Sequence, residues 1–103
     1  MEEKNKRFGD KIRDLRKSYG ESIKTLAKDL DVNYTYLSHL ENNKKVPSEE
    51  FIEKIAKRFN HDPDELKILA GKIPDDIKKI IMENPTEAVN YLRRRFDGRK
   101  NGK

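Results

Sequence analysis

Apolar residues recur every three or four positions along most of the chain, and glycines and prolines interrupt this pattern at short intervals. The first apolar stripe consists of Phe8, Ile12 and Leu15 and ends at Tyr19-Gly20. A spacing of three and four is that of an amphipathic helix, whereas a strand would alternate every second residue. No such alternation occurs, and the pattern predicts an all-α chain.

Capping signals divide the segment after Gly20 into four further short helices. Ser22, Asn33 and Ser48 are residue types that accept backbone N–H groups at a helix start. Residues 62–65, Asp-Pro-Asp-Glu, have the form of a capping box with proline in the first helical position. Gly71 ends the fifth helix, so five helices can share one core. The apolar positions of the second to fifth helices are Ile23, Leu26, Ala27, Leu30, Leu37, Leu40, Phe51, Ile52, Ile55, Ala56, Phe59, Leu66, Leu69 and Ala70.

Two more helices are predicted after Gly71. Pro74 begins the first, and residues 84–87 repeat the capping-box arrangement at the start of the second. The boundaries are therefore 1–71 for the first domain, 72–96 for a C-terminal helical hairpin and 97–103 for a basic, disordered tail. The hairpin has more apolar surface than a tail needs, and such a patch marks an interface. The candidate dimer residues are Ile77, Ile80, Ile81, Val89, Leu92 and Phe96. In the alternative interpretation the hairpin covers the core of its own chain.

Charge and composition exclude several classes of protein. The chain has 24 Lys and Arg against 19 Asp and Glu, and this net charge of +5 fits a nucleic-acid partner and a lysine-rich surface equally well. There is no cysteine, and His39 and His61 are too far apart in sequence for a metal motif, so we expect no metal, no cofactor and no enzymatic activity. No apolar run is long enough for a membrane span or a signal peptide, and we expect a cytoplasmic protein.

The most informative segment runs from Ser22 to Asn43. A two-turn helix, a three-residue connection and a second short helix describe a helix-turn-helix. Residues 8–70, and above all "SIKTLAKDLDVNYTYLSHLENNKKVPS" followed by "FIEKIAKRFNHDPDEL", resemble the lambda-repressor-like (Xre-type, Cro/C1) helix-turn-helix transcriptional regulators. The resemblance implies a five-helix DNA-binding domain, followed here by two short C-terminal helices, and double-stranded DNA as the partner.

In that family the third helix, about Tyr34 to Asn42 here, enters the major groove and reads bases near its N-terminal end. Leu37 and Leu40 define its buried side, so the polar residues at the matching positions lie away from the core. These candidate base-reading residues are Tyr34, Thr35, Ser38 and His39. The alternative is that they are merely solvent-exposed.

The resemblance also implies contacts to the DNA backbone and one structural ion pair. Glu41 follows Leu40 and points partly inward, so its carboxylate requires a partner, for which Arg16 is the matching residue. Three positions depart from the family pattern: Ile23 stands where a phosphate-contacting glutamine is common, and Asp31 and Asn43 stand where glycine is usual. The candidate DNA-backbone residues are Arg16, Lys24, Asn33, Tyr36, Asn42, Asn43, Lys44 and Lys45.

Three functions remain compatible with the sequence. The first is a sequence-specific repressor that binds a palindromic or pseudo-palindromic operator as a homodimer. The second is a DNA-binding antitoxin or restriction-modification controller that acts with a protein partner such as a toxin. The third, from another class, is a helical interaction module that does not bind DNA.

Overall fold

The computed structural model describes residues 6–98, which form seven α-helices and one π-helical turn. The helices are α1 Phe8–Ser18, α2 Ile23–Leu30, α3 Tyr34–Glu41, α4 Glu49–Arg58, α5 Pro63–Leu69, α6 Asp75–Glu83 and α7 Pro85–Leu92, and the π turn is Arg93–Asp97. No strand occurs in this range, which confirms the predicted all-α class.

The predicted capping residues begin α2, α3 and α4. The side chains of Ser22, Asn33 and Ser48 each accept the backbone N–H three residues further on, at 3.1, 2.7 and 3.1 Å. These bonds satisfy donors that the first turn of a helix leaves without a partner. Local sequence signals therefore set the starts of the three helices that contain the candidate site and its support.

The two predicted capping boxes are wrong in detail. Asp62 accepts the N–H of Asp64 at 3.0 Å, while the carboxylate of Glu65 lies 2.7 Å from the ring of His61. Asn84 makes no side-chain cap, and its amide instead donates to the carbonyl oxygen of Ile80 at 3.0 Å. Because α7 begins directly after α6, this amide satisfies a carbonyl at the end of α6.

The first compact unit ends at Lys72, and within its described part, residues 6–72, the core takes side chains from all five helices. Ile23, Leu69 and Ala70, which were predicted inside, are only partly buried against this core. The ring of Phe51 lies edge-on to the rings of Phe8 and Tyr36, with centroid distances of 6.4 and 5.7 Å. The buried apolar residues are Phe8, Ile12, Leu26, Ala27, Leu30, Leu37, Leu40, Phe51, Ile52, Ile55, Ala56, Phe59 and Leu66.

The second compact unit starts at Ile73, close to the boundary predicted at Gly71, and is described as far as Gly98. None of the residues in α6, α7 or the π turn is buried. Asp97, predicted as the first residue of the tail, belongs to the π turn, which ends where Gly98 takes a φ of 73°. The rest of the predicted tail, 99–103, lies outside the described residues.

Residues 6–98 contain no candidate membrane span and no candidate metal cluster. No helix there is long and apolar enough to cross a bilayer. No group of three or more His, Cys, Asp or Glu side chains in that range could hold a metal ion.

Candidate nucleic-acid interface

Helices α2 and α3 are joined by the three-residue connection 31–33. Asp31 takes a left-handed conformation with a φ of 59°, and its N–H donates to the carbonyl oxygen of Lys28 at 3.1 Å. The next N–H, of Val32, donates to Ala27 at 3.0 Å. Asp tolerates positive φ better than most residues, so the turn forms without the glycine common at this position.

Helix α3 has one buried face and one outward face. Leu37 and Leu40 are fully buried, and Glu41 is 2% exposed. On the outward face, Tyr34 and Thr35 are exposed, while Ser38 and His39 are half-buried. The structure thus brings the four candidate base-reading residues, Tyr34, Thr35, Ser38 and His39, together on the outward side of one helix.

Exposed lysines flank α3 on both sides in sequence. Lys24 lies in the first turn of α2, and Lys44 and Lys45 follow α3. None of the three forms an ion pair with a residue in the range 6–98. Asn43, with a φ of 59°, turns the chain so that the Lys44 N–H donates to the His39 carbonyl oxygen at 2.8 Å. These three cations are available to phosphate groups.

Arg16 and Glu41 form the ion pair between α1 and α3. The Arg16 Nε donates to Glu41 Oε2 at 2.7 Å, and its Nη2 donates to Oε1 at 2.9 Å. This hydrogen bonding to the carboxylate raises the pKa of Arg16 above its ordinary value, against the opposing effect of burial. The remaining nitrogen, Nη1, donates to the Glu21 carbonyl oxygen at 2.9 Å. All three nitrogens therefore serve the fold, which leaves little of Arg16 for the predicted DNA backbone contact.

Asn43 connects the end of α3 to the start of α1. Its Oδ1 accepts the Gly9 N–H at 2.9 Å, and its Nδ2 donates to Asp10 Oδ1 at 3.3 Å. The first N–H groups of a helix have no partner inside the helix, so Asn43 provides a cap from a distant part of the chain. This role accounts for the Asn43 side chain without the predicted DNA contact.

Gly9 allows the backbones of α1 and of the end of α3 to lie in contact. A Cβ placed on Gly9 would be 2.3 Å from the Leu40 carbonyl oxygen and 2.7 Å from that of Glu41. Both neighbours are backbone atoms that cannot swing aside. No side chain larger than hydrogen therefore fits at Gly9 without displacing one of the two helices.

The family model of the helix-turn-helix domain matches residues 9–72, which is more than half of the chain. The chain belongs to the helix-turn-helix domain family. Its membership supports a DNA-binding regulator with double-stranded DNA as the partner. A comparison with curated proteins gives no match.

Two predicted backbone-contact residues of this helix-turn-helix domain have structural roles as well. The Oδ1 of Asn33 caps α3, which leaves the amide nitrogen of the same side chain available. The ring of Tyr36 packs edge-on against Phe51 and is half-buried. Ile23, noted above as a departure from a phosphate-contacting glutamine, is half-buried and packs against the core.

Arg13 is a residue of the helix-turn-helix domain that sequence reasoning missed. Its Nη2 donates to the Glu41 carbonyl oxygen at 3.2 Å and to Asn42 Oδ1 at 2.6 Å, and the Asn42 amide in turn donates to the Ser38 carbonyl oxygen. Arg13 and Asn42 therefore satisfy carbonyl groups at the C-terminal end of α3. Asn42 therefore has a structural role in addition to its predicted contact with the DNA backbone.

The α1 residues that hold α3 have a regular spacing. Gly9, Arg13 and Arg16 are four and three residues apart, so they share one face of α1. A glycine inside an otherwise helical pattern is a known sign of close packing, and this was the available sequence signal. The three contacts fix the end of α3, and with it the direction of its outward face.

Proposed function

We propose that the chain is a sequence-specific regulator of the lambda-repressor-like, Xre-type (Cro/C1) kind, which represses transcription by occupying its operator. The observation that carries the proposal is the outward face of α3, where Tyr34, Thr35, Ser38 and His39 lie together. Within residues 6–98 none of these side chains is engaged in a hydrogen bond. Hydroxyl and imidazole groups fixed on a short helix suit base edges in the major groove. We propose no enzymatic activity.

The distribution of charge supports separate roles for α3, which would read bases, and for the lysines around it, which would bind phosphate. Helix α3 has no lysine or arginine, and its buried Glu41 is paired with Arg16. The exposed cations Lys24, Lys44 and Lys45 lie outside the helix. Cations that contact phosphate position a protein on DNA and supply salt-dependent affinity, but they carry no sequence information. The base preference then comes from the polar side chains of α3.

We expect Thr35→Ala to relax the base preference at one or two positions of the preferred site, at a cost of about 1–3 kcal/mol. Thr35 presents a hydroxyl and a methyl group, and the methyl group suits the methyl group of thymine. The measurement is binding of the variant to a panel of duplexes that each change one base pair of the site selected by the wild-type protein.

The matched control for Thr35 is Thr86→Ala, which changes an exposed threonine in the second compact unit. It should leave the preference at every base pair unchanged. A Thr35→Ala profile identical to that of the wild type would mean that the register assigned to α3 is wrong. Failure of the wild-type protein to select any sequence at low salt would contradict DNA reading altogether.

We expect Lys44→Ala to weaken binding to all duplexes alike and to reduce the slope of log affinity against log salt by about 1. The reason is that Lys44 is exposed and lacks an ion pair within the described range, so a phosphate is the partner it gains. Titrations at several salt concentrations measure the slope. Lys57→Ala, which changes an exposed lysine on α4, is the control and should not alter it. A change of base preference in Lys44→Ala would contradict the assignment.

A homodimer on a palindromic or pseudo-palindromic operator completes the proposal. One short recognition helix reaches only a few base pairs, and two-fold protein dimers place two such helices on half-sites about one helical turn apart. The exposed apolar side chains of the second compact unit, among them Ile77, Ile80 and Leu92, support a dimer surface. The symmetry of the selected DNA sequence tests this part.

The same exposed surface favours one alternative, a DNA-binding antitoxin or restriction-modification controller that works with a protein partner. In that case the apolar residues of α6 and α7 would be covered by the partner protein instead of by a second copy. A helical module that does not bind DNA is the remaining alternative, and the selection experiment separates it from both.

A further inference from the structure

Helices α6 and α7 enclose an apolar groove of about 350 Å³, called the hairpin groove below. Two polar residues, Asn84 and Glu87, lie at the groove as well, so its lining includes a single carboxylate. The apolar lining residues are Ile77, Ile80, Ile81, Ala88, Tyr91 and Leu92.

The same unit holds a large apolar side chain outside this groove. Phe96, in the π turn, is 73% exposed, and the guanidinium carbon of Arg95 lies 5.1 Å from the centroid of its ring. Leu92, at one end of the groove, precedes Phe96 by four residues, but the Phe96 ring does not line the groove of its own chain. Aromatic side chains of this kind serve as buried anchors in protein interfaces.

The groove and the segment that contains Phe96 have opposite net charges. Residues 75–92, which contain the groove, have four acidic and two basic side chains. Residues 93–97, which contain Phe96, have three arginines and one aspartate. A contact between the π turn of one copy and the groove of another would bring opposite charges together, with Glu87 at the groove itself.

We propose that the hairpin groove receives Phe96 of a second copy of this chain, and that the second copy receives Phe96 of the first. Phe96 of each copy then fills the groove of the other copy. The same contact therefore occurs twice in one two-fold dimer, as an isologous interface requires. The proposal rests on the proposed function in one respect, since it supplies the dimer that a palindromic operator needs.

The first test is sedimentation of the full-length protein without DNA. The wild-type chain should form a dimer of twice its 12.2 kDa mass. Phe96→Ala should raise the dissociation constant of the dimer at least about a hundredfold, because two central anchors are lost together. The control is Met82→Ala, which removes another apolar side chain, 71% exposed, that does not line the groove. It should change the dissociation constant by no more than about threefold.

A second test fills the groove and leaves Phe96 in place. Ala88→Trp should dissociate the dimer as Phe96→Ala does, with an unchanged helical circular dichroism spectrum in both variants. A mixture of the two variants retains one intact anchor and one intact groove. It should therefore contain dimer at concentrations at which neither variant alone does.

Three results would overturn the inference: a monomeric wild-type protein, equal effects of Phe96→Ala and Met82→Ala, or a mixture that stays monomeric. Each of these leaves DNA reading by α3 in place, because the sequence selected by the wild-type chain is measured separately. Conversely, an intact dimer that selects no DNA sequence would contradict the proposed function and leave the Phe96 contact standing.

Discussion

Replacement of Arg16 by methionine should lower the free energy of unfolding by about 3–5 kcal/mol. The change leaves the Glu41 carboxylate 2% exposed and without its two-point partner. Arg13 Nε, at 3.6 Å from Glu41 Oε1, is too distant to replace the two short hydrogen bonds. Equilibrium unfolding in urea, followed by circular dichroism, measures the loss.

The double variant with Arg16→Met and Glu41→Leu separates the cost of an uncompensated charge from the loss of packing. When both members of a buried pair become apolar, the result is often close to neutral. The double variant should therefore recover most of the stability that Arg16→Met loses. If the double variant were no more stable than Arg16→Met alone, the unpaired Glu41 carboxylate would not be the cause of the lost stability.

Substitution of alanine for Gly9 should cost about 3 kcal/mol through overpacking. The added Cβ would be 2.3 Å from the Leu40 carbonyl oxygen and 2.7 Å from Asn43 Oδ1, so α1 must separate from the end of α3. The hydrogen bond from the Gly9 N–H to Asn43 would weaken at the same time. Thermal and urea unfolding measure the effect.

Gly20→Ala is the control for Gly9. Gly20 has a φ of 69° and nothing within 4 Å of a built Cβ, so only backbone strain opposes the alanine. That strain should cost about 1 kcal/mol. A loss at Gly9 no larger than the loss at Gly20 would show that α1 and α3 can separate without cost, contrary to the close approach of their backbones.

These two predictions concern one structural arrangement. The outward side chains of α3 can read DNA only if the helix is held in one orientation, because base contacts require fixed directions. Gly9, Arg13 and Arg16 provide that hold from one face of α1. We therefore expect variants at Gly9 or Arg16 that remain folded to bind DNA with reduced base preference.

Much of the fold could be predicted from the sequence because its signals are short-range. The apolar spacing of α1 and the caps Ser22, Asn33 and Ser48 act over three or four residues, and these helices form where the pattern indicates. The outward side of α3 follows from Leu37 and Leu40 alone. The capping box predicted for residues 84–87 was wrong because the end of the preceding helix competes for the same amide.

The roles of Asn42 and Asn43 depend on contacts that no local pattern contains. Asn43 meets Gly9 at a separation of 34 residues, and Arg13 meets Asn42 at a separation of 29. From the sequence, both asparagines are expected to be exposed polar residues beside the predicted recognition helix, and a phosphate contact is the natural prediction. Once α1 lies against α3, the nearest groups are an unsatisfied helix N–H and an arginine, and the amides bond to these.

The sequence alone is sufficient for the helices, for most of their caps and for the polar face of α3, because hydrogen bonds and side-chain periodicity inside a helix span four residues or fewer. The three-dimensional fold was needed to assign Arg13, Asn42 and Asn43 to the junction between α1 and α3, since hydrogen-bond partners far apart in sequence become neighbours only after the core has packed. It was also needed to show that Phe96 lies exposed beyond the hairpin groove.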